Sequence, residues 1–198
     1  MIAILDYGSG NLRSAERAFA LADSKVVVTN DPKVCLEADG LVVPGVGAFA
    51  ACMSQLIGVG GDEIIRERAE RSKPIFGICV GMQILFDSSS EKTQTKGLDF
   101  FPGEVTQIKS QILPHMGWNT VKAAVDSKLF AGIESETFYF VHSYAAKTPI
   151  PGALNSVANY GEDFIAAVEQ DFIVATQFHP EKSGSAGAAL IKNWVATL

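Results

Sequence analysis

Residues 74–83 read Pro-Ile-Phe-Gly-Ile-Cys-Val-Gly-Met-Gln. Lys73–Ile78 has the apolar, β-prone character of a strand entering Cys79, and Met82–Phe86 has the makings of a helix. A cysteine with a glycine two residues to either side, between strand and helix, has the pattern of a nucleophile elbow with Cys in place of Ser. The glycines admit a turn too tight for neighbouring side chains, and the turn exposes the thiol at a helix N-terminus, which favours thiolate. The backbone N–H of Val80 would then be one oxyanion donor. On this stretch alone a plainer reading stays open, because most free cysteines are small buried apolar residues.

Working outward, the first half alternates short β-rich runs with helical stretches. Ile2–Leu5 is an apolar run ending at Asp6, Leu12–Ala22 carries apolar residues at helical spacing, Lys25–Val28 is a second strand, and Gly40–Val43 a third, stopped by Pro44. Ile64–Arg71 is charged and helical. This alternation predicts an α/β fold with a parallel sheet covered on both faces. Beyond residue 105 the grain changes to short runs at Val105–Ile108, Thr137–Val141, Phe164–Val168 and Ile173–Phe178, punctuated by Gly, Pro, Asn and Asp. These predict antiparallel additions to the sheet, and Ser185–Val195 closes the chain as a helix. No repeat, low-complexity run or long linker divides residues 1–198, so one α/β domain is expected.

The composition agrees with a packed domain. Of 198 residues 47% are apolar and 19% charged, enough for a domain that buries roughly 70% of its unfolded surface without staples. Twenty-two acids against sixteen bases leave a net charge of −6, and no Lys/Arg run suggests a nucleic-acid surface. The start, M-I-A-I-L-D, has no basic leader, and no apolar run nears the ~20 residues of a membrane span. Three cysteines without paired spacing read as reduced thiols, hence a cytoplasmic protein.

A cysteine nucleophile needs a base, and the chain offers His115, His142 and His179. In Gln177-Phe178-His179-Pro180-Glu181-Lys182, Pro180 biases His179 to an extended backbone. Side chains two apart on extended chain share a face, so Glu181 can hold the imidazole's tautomer. A His two residues from a Glu is also an ordinary surface pair. Its place directly after the strand Ile173–Thr176 matters, because open α/β sheets put their ligands at strand carboxyl ends, and Cys79 also follows its strand.

Pro44-Gly45-Val46-Gly47 is a third element just past a strand. Its glycines either turn peptide N–H groups towards a developing negative charge or only supply a tight turn. Gly8-Ser9-Gly10 invites a dinucleotide reading, but Arg13 stands where a third glycine belongs. The scattered histidines and cysteines have no metal-ligand spacing, so neither metal nor cofactor is expected. Pro114–Asn119 (P-H-M-G-W-N) and Tyr139–Tyr144 concentrate polar and aromatic residues, as core turns or as a binding surface.

G-I-C-V-G-M-Q (77–83) with F-H-P-E-K-S (178–183) resembles the class I, triad-type glutamine amidotransferases. P-H-M-G-W-N (114–119), Y-G-S-G-N (7–11), P-G-V-G (44–47) and F-Y-F-V-H-S-Y (138–144) are similar to motifs of the glutaminase subunits of imidazole glycerol phosphate synthases, which serve histidine biosynthesis. The resemblance implies a flavodoxin-like α/β fold, and that Cys79 attacks the carboxamide of glutamine with His179 as base and acid and Glu181 orienting it. It implies that Gly47, Gln83, Ser143 and Tyr144 hold glutamine, and that Val80, Val46 and Gly47 form the oxyanion hole, the Pro44–Gly47 part only after its backbone rearranges. It further implies a (β/α)₈ cyclase partner supplied in trans, since the chain stops at Leu198. That heterodimer would be met or regulated through Asn11, Met116, Trp118, Asn119, Tyr139 and Lys182. Val80 stands where the family commonly has Leu, and Ala145 where a second Tyr often follows Tyr144.

Three other readings compete. A glutaminase subunit of pyridoxal 5′-phosphate synthase would keep the triad but leave P-H-M-G-W-N unexplained. A free-standing Cys–His hydrolase would need no partner. A binding module with a vestigial site would have no reason to retain nucleophile, base and orienter together.

Overall fold

The computed structural model describes residues 1–22 and 25–198. In chain order the first half runs β1 (Ile2–Leu5), α1 (Leu12–Ala20), β2 (Val26–Thr29), α2 (Pro32–Glu37), β3 (Gly40–Gly45), α3 (Phe49–Gly58), α4 (Gly61–Glu70), β4 (Ile75–Cys79) and α5 (Val80–Gln83). The second half runs β5 (Phe86–Ser89), β6 (Thr95–Lys96), β7 (Phe101–Gln107), β8 (His115–Thr120), β9 (Thr137–His142) and β10 (Tyr144–Ala146). It ends with β11 (Leu154–Asn159), β12 (Asp163–Gln170), β13 (Ile173–Thr176), a 3₁₀ turn at Pro180–Lys182 and α6 (Gly184–Val195).

Among the described residues the main sheet has seven strands in the order β11-β12-β13-β4-β3-β1-β2. The five from β13 to β2 are parallel, and β12 and β11 add antiparallel at one edge. β1, β3 and β4 are buried along their whole length, as strands covered on both faces must be. Crossovers from β1 to β2 and from β3 to β4 run in opposite directions across the sheet, so right-handed connections place their helices on opposite faces. α1 accordingly packs with α6, and α2 and α3 with α4. On the α1 side Phe19, Phe76 and Trp194 meet with ring centroids 5.2–5.9 Å apart, within the range of favourable aromatic contacts. On the α4 side the fully buried Arg68 donates to the carbonyls of Cys35, Ala38 and Pro74 at 2.7–2.9 Å, tying α2 to the entry of β4.

β4 lies between β3 and β13, with Gly45 level with Cys79 and Thr176 level with Ile78. The segments that leave these three strands therefore emerge side by side at one sheet edge, as expected from the sequence.

Three expectations are corrected. The stretch Met82–Phe86 is not a helix: α5 is a single turn, and Phe86 already begins β5. The Ile84 carbonyl is taken by the N–H of Leu98 (2.8 Å) and the Leu85 carbonyl by those of Phe100 and Phe101 (2.9 and 3.0 Å), so the helical ladder cannot continue. Of the four late β runs, only those at 164 and 173 join the main sheet, the first antiparallel as expected and the second parallel to β4. Val105 lies in a four-stranded sheet, β10-β7-β5-β6, and Thr137 opens the second strand of a separate β8–β9 hairpin. That hairpin buries alternate residues, Phe138, Phe140 and His142, against Phe130, Phe164 and Phe178. Finally, β3 continues through Pro44 to Gly45 rather than stopping at Val43.

Candidate active site

Cys79 ends β4 with φ 57° and ψ −112°, a backbone conformation that residues with side chains rarely adopt. The turn is held by close backbone packing around it. A Cβ on Gly81 would lie 1.8 Å from the Val43 carbonyl oxygen, and one on Gly77 would lie 2.7 Å from that of Gly81. Only glycine fits at either place, which is the elbow read from the sequence.

The thiol borders a cleft of about 400 Å³ lined by Val46, Gly47, Gln83, Tyr144, His179 and Lys182 among others. A larger cavity of about 840 Å³ opens where β4 and β13 begin, at the other end of the sheet, and holds none of the residues singled out from the sequence.

His179 is extended (φ −101°, ψ 95°) and buried, with its Nδ1 2.7 Å from Glu181 Oε1. The route differs from the one expected: Glu181 sits in the 3₁₀ turn Pro180–Lys182, so the turn and not a strand pleat brings the carboxylate to the ring. Because an ionised carboxylate only accepts, Nδ1 carries the hydrogen. His179 Nε2 and Glu181 Oε2 make no hydrogen bond among the described residues. The backbone of His179 is clamped to the β8–β9 hairpin: its N–H donates to the Tyr139 carbonyl (2.9 Å), and Ser183 Oγ donates to its carbonyl (2.6 Å) while accepting from the Tyr139 N–H (3.0 Å). Burial alone would lower the His179 pKa. The nearby Cys79 sulfur and then Glu181 outweigh it and hold the imidazole up at about 10.

Gln177 and Gln83 form a buried shelf beside the sulfur. Gln177 Nε2 points at Cys79 Sγ (3.8 Å), and Gln83 Nε2 donates to Gln177 Oε1 (3.0 Å) and to the Tyr144 carbonyl (2.9 Å). Across the cleft the Pro44–Gly47 loop is tied to Y-G-S-G-N. The Val46 N–H donates to Ser9 Oγ (3.0 Å), Ser9 Oγ and Cys52 Sγ donate to the Val46 carbonyl (2.9 and 3.1 Å), and the Tyr7 hydroxyl donates to the Pro44 carbonyl.

The cleft thus brings together Cys79, Val80, Val46, Gly47, Gln83, Ser143, Tyr144, His179 and Lys182, with Glu181 directly behind His179. Met116, Trp118, Asn119 and Tyr139 lie on the hairpin, where Met116 and Trp118 are exposed and Trp118 meets Tyr139 edge-on. Asn11 is apart from the cleft, accepting the Ser14 N–H as the N-cap of α1. Sequence reasoning missed Glu91, which lines the cleft while accepting the Phe49 N–H (2.8 Å), as well as Gln177, Ser183 and the clasp role of Ser9. Glu91 sits in an ordinary polar loop with no motif around it. Gln177, two residues before His179, did carry a positional signal.

These features define the class first. The family described as glutamine amidotransferase class-I matches residues 3–198. Solved structures of the same fold include a glutamine amidotransferase with TM-score 0.79 and 17% identity, covering 100% of this chain and 99% of that one. The PurLQS structure from Thermotoga maritima aligns with TM-score 0.70 and 18% identity over 99% and 97%. Curated relatives are closer. The imidazole glycerol phosphate synthase subunit HisH of Corynebacterium diphtheriae is 53% identical over 100% of this chain and 99% of its own length. The HisH of Nocardia farcinica is 54% identical over 100% and 98%. The chain belongs to the class-I glutamine amidotransferases and, within them, to the HisH family.

Proposed function

We propose that this chain, acting over residues 1–198 as one glutaminase domain, hydrolyses L-glutamine to glutamate and ammonia and passes the ammonia to a cyclase subunit of imidazole glycerol phosphate synthase. The observation that carries the chemistry is the meeting of an elbow cysteine, a buried histidine and the carboxylate 2.7 Å from its Nδ1 in one cleft. The relatives' name carries the substrate context and the synthase assembly.

The steps follow from the groups present. With its pKa held at about 10, His179 is an imidazolium at neutral pH, the counter-charge a Cys79 thiolate needs. The thiolate adds to the carboxamide carbon, and the new oxyanion is met by the Val80 N–H. The N–H groups of Val46 and Gly47 complete the hole once the Pro44–Gly47 loop turns. His179 gives its proton to the departing nitrogen, so ammonia leaves and a glutamyl thioester remains. Neutral His179 then takes a proton from water as the hydroxyl adds, the C–S bond breaks, and glutamate leaves with the thiolate restored. Gln83, Ser143, Tyr144 and Gly47 hold glutamine, and the Glu91 carboxylate suits its α-ammonium group. The donor at Val80 is its backbone N–H, which valine supplies as well as leucine. Ala145 is fully buried in β10 beside Tyr144, shaping that strand and not the cleft.

The partner is a (β/α)₈ cyclase bound in trans. The exposed Met116 and Trp118, with Asn119, Tyr139, Lys182 and Asn11 around the cleft's rim and beyond it, are the surface for it. A cytoplasmic setting is supported by the unpaired thiols Cys35, Cys52 and Cys79, and no helix among the described residues is long and apolar enough to cross a membrane.

The test is a bypass. Cys79→Ala in the assembled synthase is expected to lose glutamine-dependent product formation by about 10⁴-fold or more. Formation driven by an added ammonium salt should persist, because only the ammonia supply is removed. Glutamine-dependent turnover in that variant would sink the assignment.

A further inference from the structure

Two of the three histidines have no part in the chemistry above, yet both are buried and joined. His115, on β8, and His142, at the end of β9, face each other across the hairpin with His115 Nδ1 3.0 Å from His142 Nε2. His142 Nδ1 lies 3.0 Å from the Tyr144 carbonyl, and Asn119 Nδ2 lies 3.3 Å from His115 Nε2.

The direction of every bond can be worked out. A carbonyl only accepts, so His142 Nδ1 must carry hydrogen. Burial holds both rings neutral, pushing the pKa of His142 down to about 3 and that of His115 to about 4. A neutral ring has one hydrogen, so His142 Nε2 accepts and His115 Nδ1 donates to it. His115 Nε2 is then an acceptor, matched to the Asn119 amide donor. The Tyr144 carbonyl receives His142 on one side and Gln83 Nε2 on the other, and Gln83 holds Gln177, whose amide points at Cys79 Sγ. Donation thus runs one way from Asn119, at the partly exposed edge of the hairpin, through His115 and His142 to the Tyr144 carbonyl, where it meets the bond that Gln83 donates from the shelf side.

We propose that His115 and His142 are positioning residues for the glutamine site: their one-way chain of hydrogen bonds from Asn119 fixes the Tyr144 carbonyl, and through it Gln83 and Gln177, beside Cys79. The proposal rests on the glutaminase reading above and adds to it two residues, His142 in the wall of the cleft and His115 behind it, that act through Tyr144. It also gives His115, within P-H-M-G-W-N, a task inside the hairpin while its neighbours Met116 and Trp118 face outward. A packing role alone would not require nitrogen here. His115 is stacked between Tyr160 (4.0 Å) and Phe140 (4.8 Å), a slot that a phenyl ring fills equally well.

That slot supplies the test. In the synthase pair, His115→Phe keeps the stacking and removes both nitrogens. The KM for glutamine should rise about fivefold or more, the factor set by one neutral hydrogen bond, with kcat changed less than about twofold. Loss of folded protein would do the reverse, lowering apparent kcat at constant KM. His115→Asn, whose Nδ2 stands near the place of Nδ1, should recover part of the KM. In the wild-type protein, ¹⁵N NMR of the imidazoles should find hydrogen on Nδ1 of both rings throughout the neutral range. Hydrogen on Nε2 of either ring, or an unchanged KM in His115→Phe, overturns the proposal. If that variant does not fold, an unchanged KM in Asn119→Ala overturns it. Wild-type glutamate release is measured alongside: its absence would remove the glutaminase reading itself, whereas an active wild type with an unmoved variant removes only the relay.

Discussion

At the end of β4 the chain turns through Cys79 with backbone packed on backbone, and the geometry is complete in the isolated subunit. One strand away, at the end of β3, Pro44–Gly47 turns with its Val46 N–H engaged within the protein. The Val46 N–H is bound to Ser9 Oγ, its carbonyl to Ser9 and Cys52, and Gly47 has φ 88° with nothing near its missing Cβ. The first loop is fixed by steric exclusion, which costs several kcal/mol to violate. The second is held by a few hydrogen bonds of about 1 kcal/mol each. A loop of the second kind can be switched by a partner's binding energy, and a loop of the first kind cannot. On the proposed mechanism, the nucleophile is therefore built by folding and half of the oxyanion hole is left to be set.

Glu181→Gln tests the fixed side most severely. It keeps the size of the side chain but removes the charge that helps hold the His179 pKa at about 10. Turnover should fall about 10³-fold, within the range for losing an orienting carboxylate. The alkaline limb of the pH profile, where His179 loses the proton it must give to ammonia, should move from about 10 towards the ordinary imidazole range. A limb that stays in place would mean Glu181 does not tune the base.

A pair of alanine variants puts the two loops side by side. Gly81→Ala drives a Cβ into the Val43 carbonyl and should cost about 3 kcal/mol, some 10 °C in melting temperature for a chain of this size. Gly47→Ala meets open space, and the strain of its positive φ should cost about 1 kcal/mol, a shift of only a few degrees. Equal losses would erase the distinction between a fixed and a settable loop.

The smallest expected effect sharpens it furthest. Ser9→Ala removes the acceptor of the Val46 N–H and leaves the fold intact. Glutamate release by the subunit alone should rise about fivefold, while release in the stimulated synthase stays unchanged. A fall in unstimulated release would show that Ser9 supports the active form of the loop.

Much of this contrast was legible in the sequence. Cys79 between Gly77 and Gly81, after an apolar strand, announced the elbow through its local spacing, although the contact that demands Gly81 is the Val43 carbonyl, 38 residues away on β3. His179 and Glu181 were legible for the same local reason, although a 3₁₀ turn replaced the expected pleat. The clasp of Ser9 on Val46 was not, since it joins residues 37 apart and a serine in a glycine-rich turn has many uses. The helix expected at Met82–Phe86 failed because residues 98–101 capture its carbonyls, a competition no local pattern reveals. Glu91 and the His115–His142 pair were hidden similarly: their roles depend on which β hairpin or sheet each segment joins, and the runs at 105 and 137 do not carry that information.

The most direct measurement is glutamate release by the purified chain, alone and then with the cyclase subunit and its nucleotide ligand. A half-set oxyanion hole predicts slow release alone and strong stimulation only when both are present. Full activity from the chain alone would contradict it, leaving the Cys79–His179–Glu181 chemistry in place but the Pro44–Gly47 loop with nothing to complete.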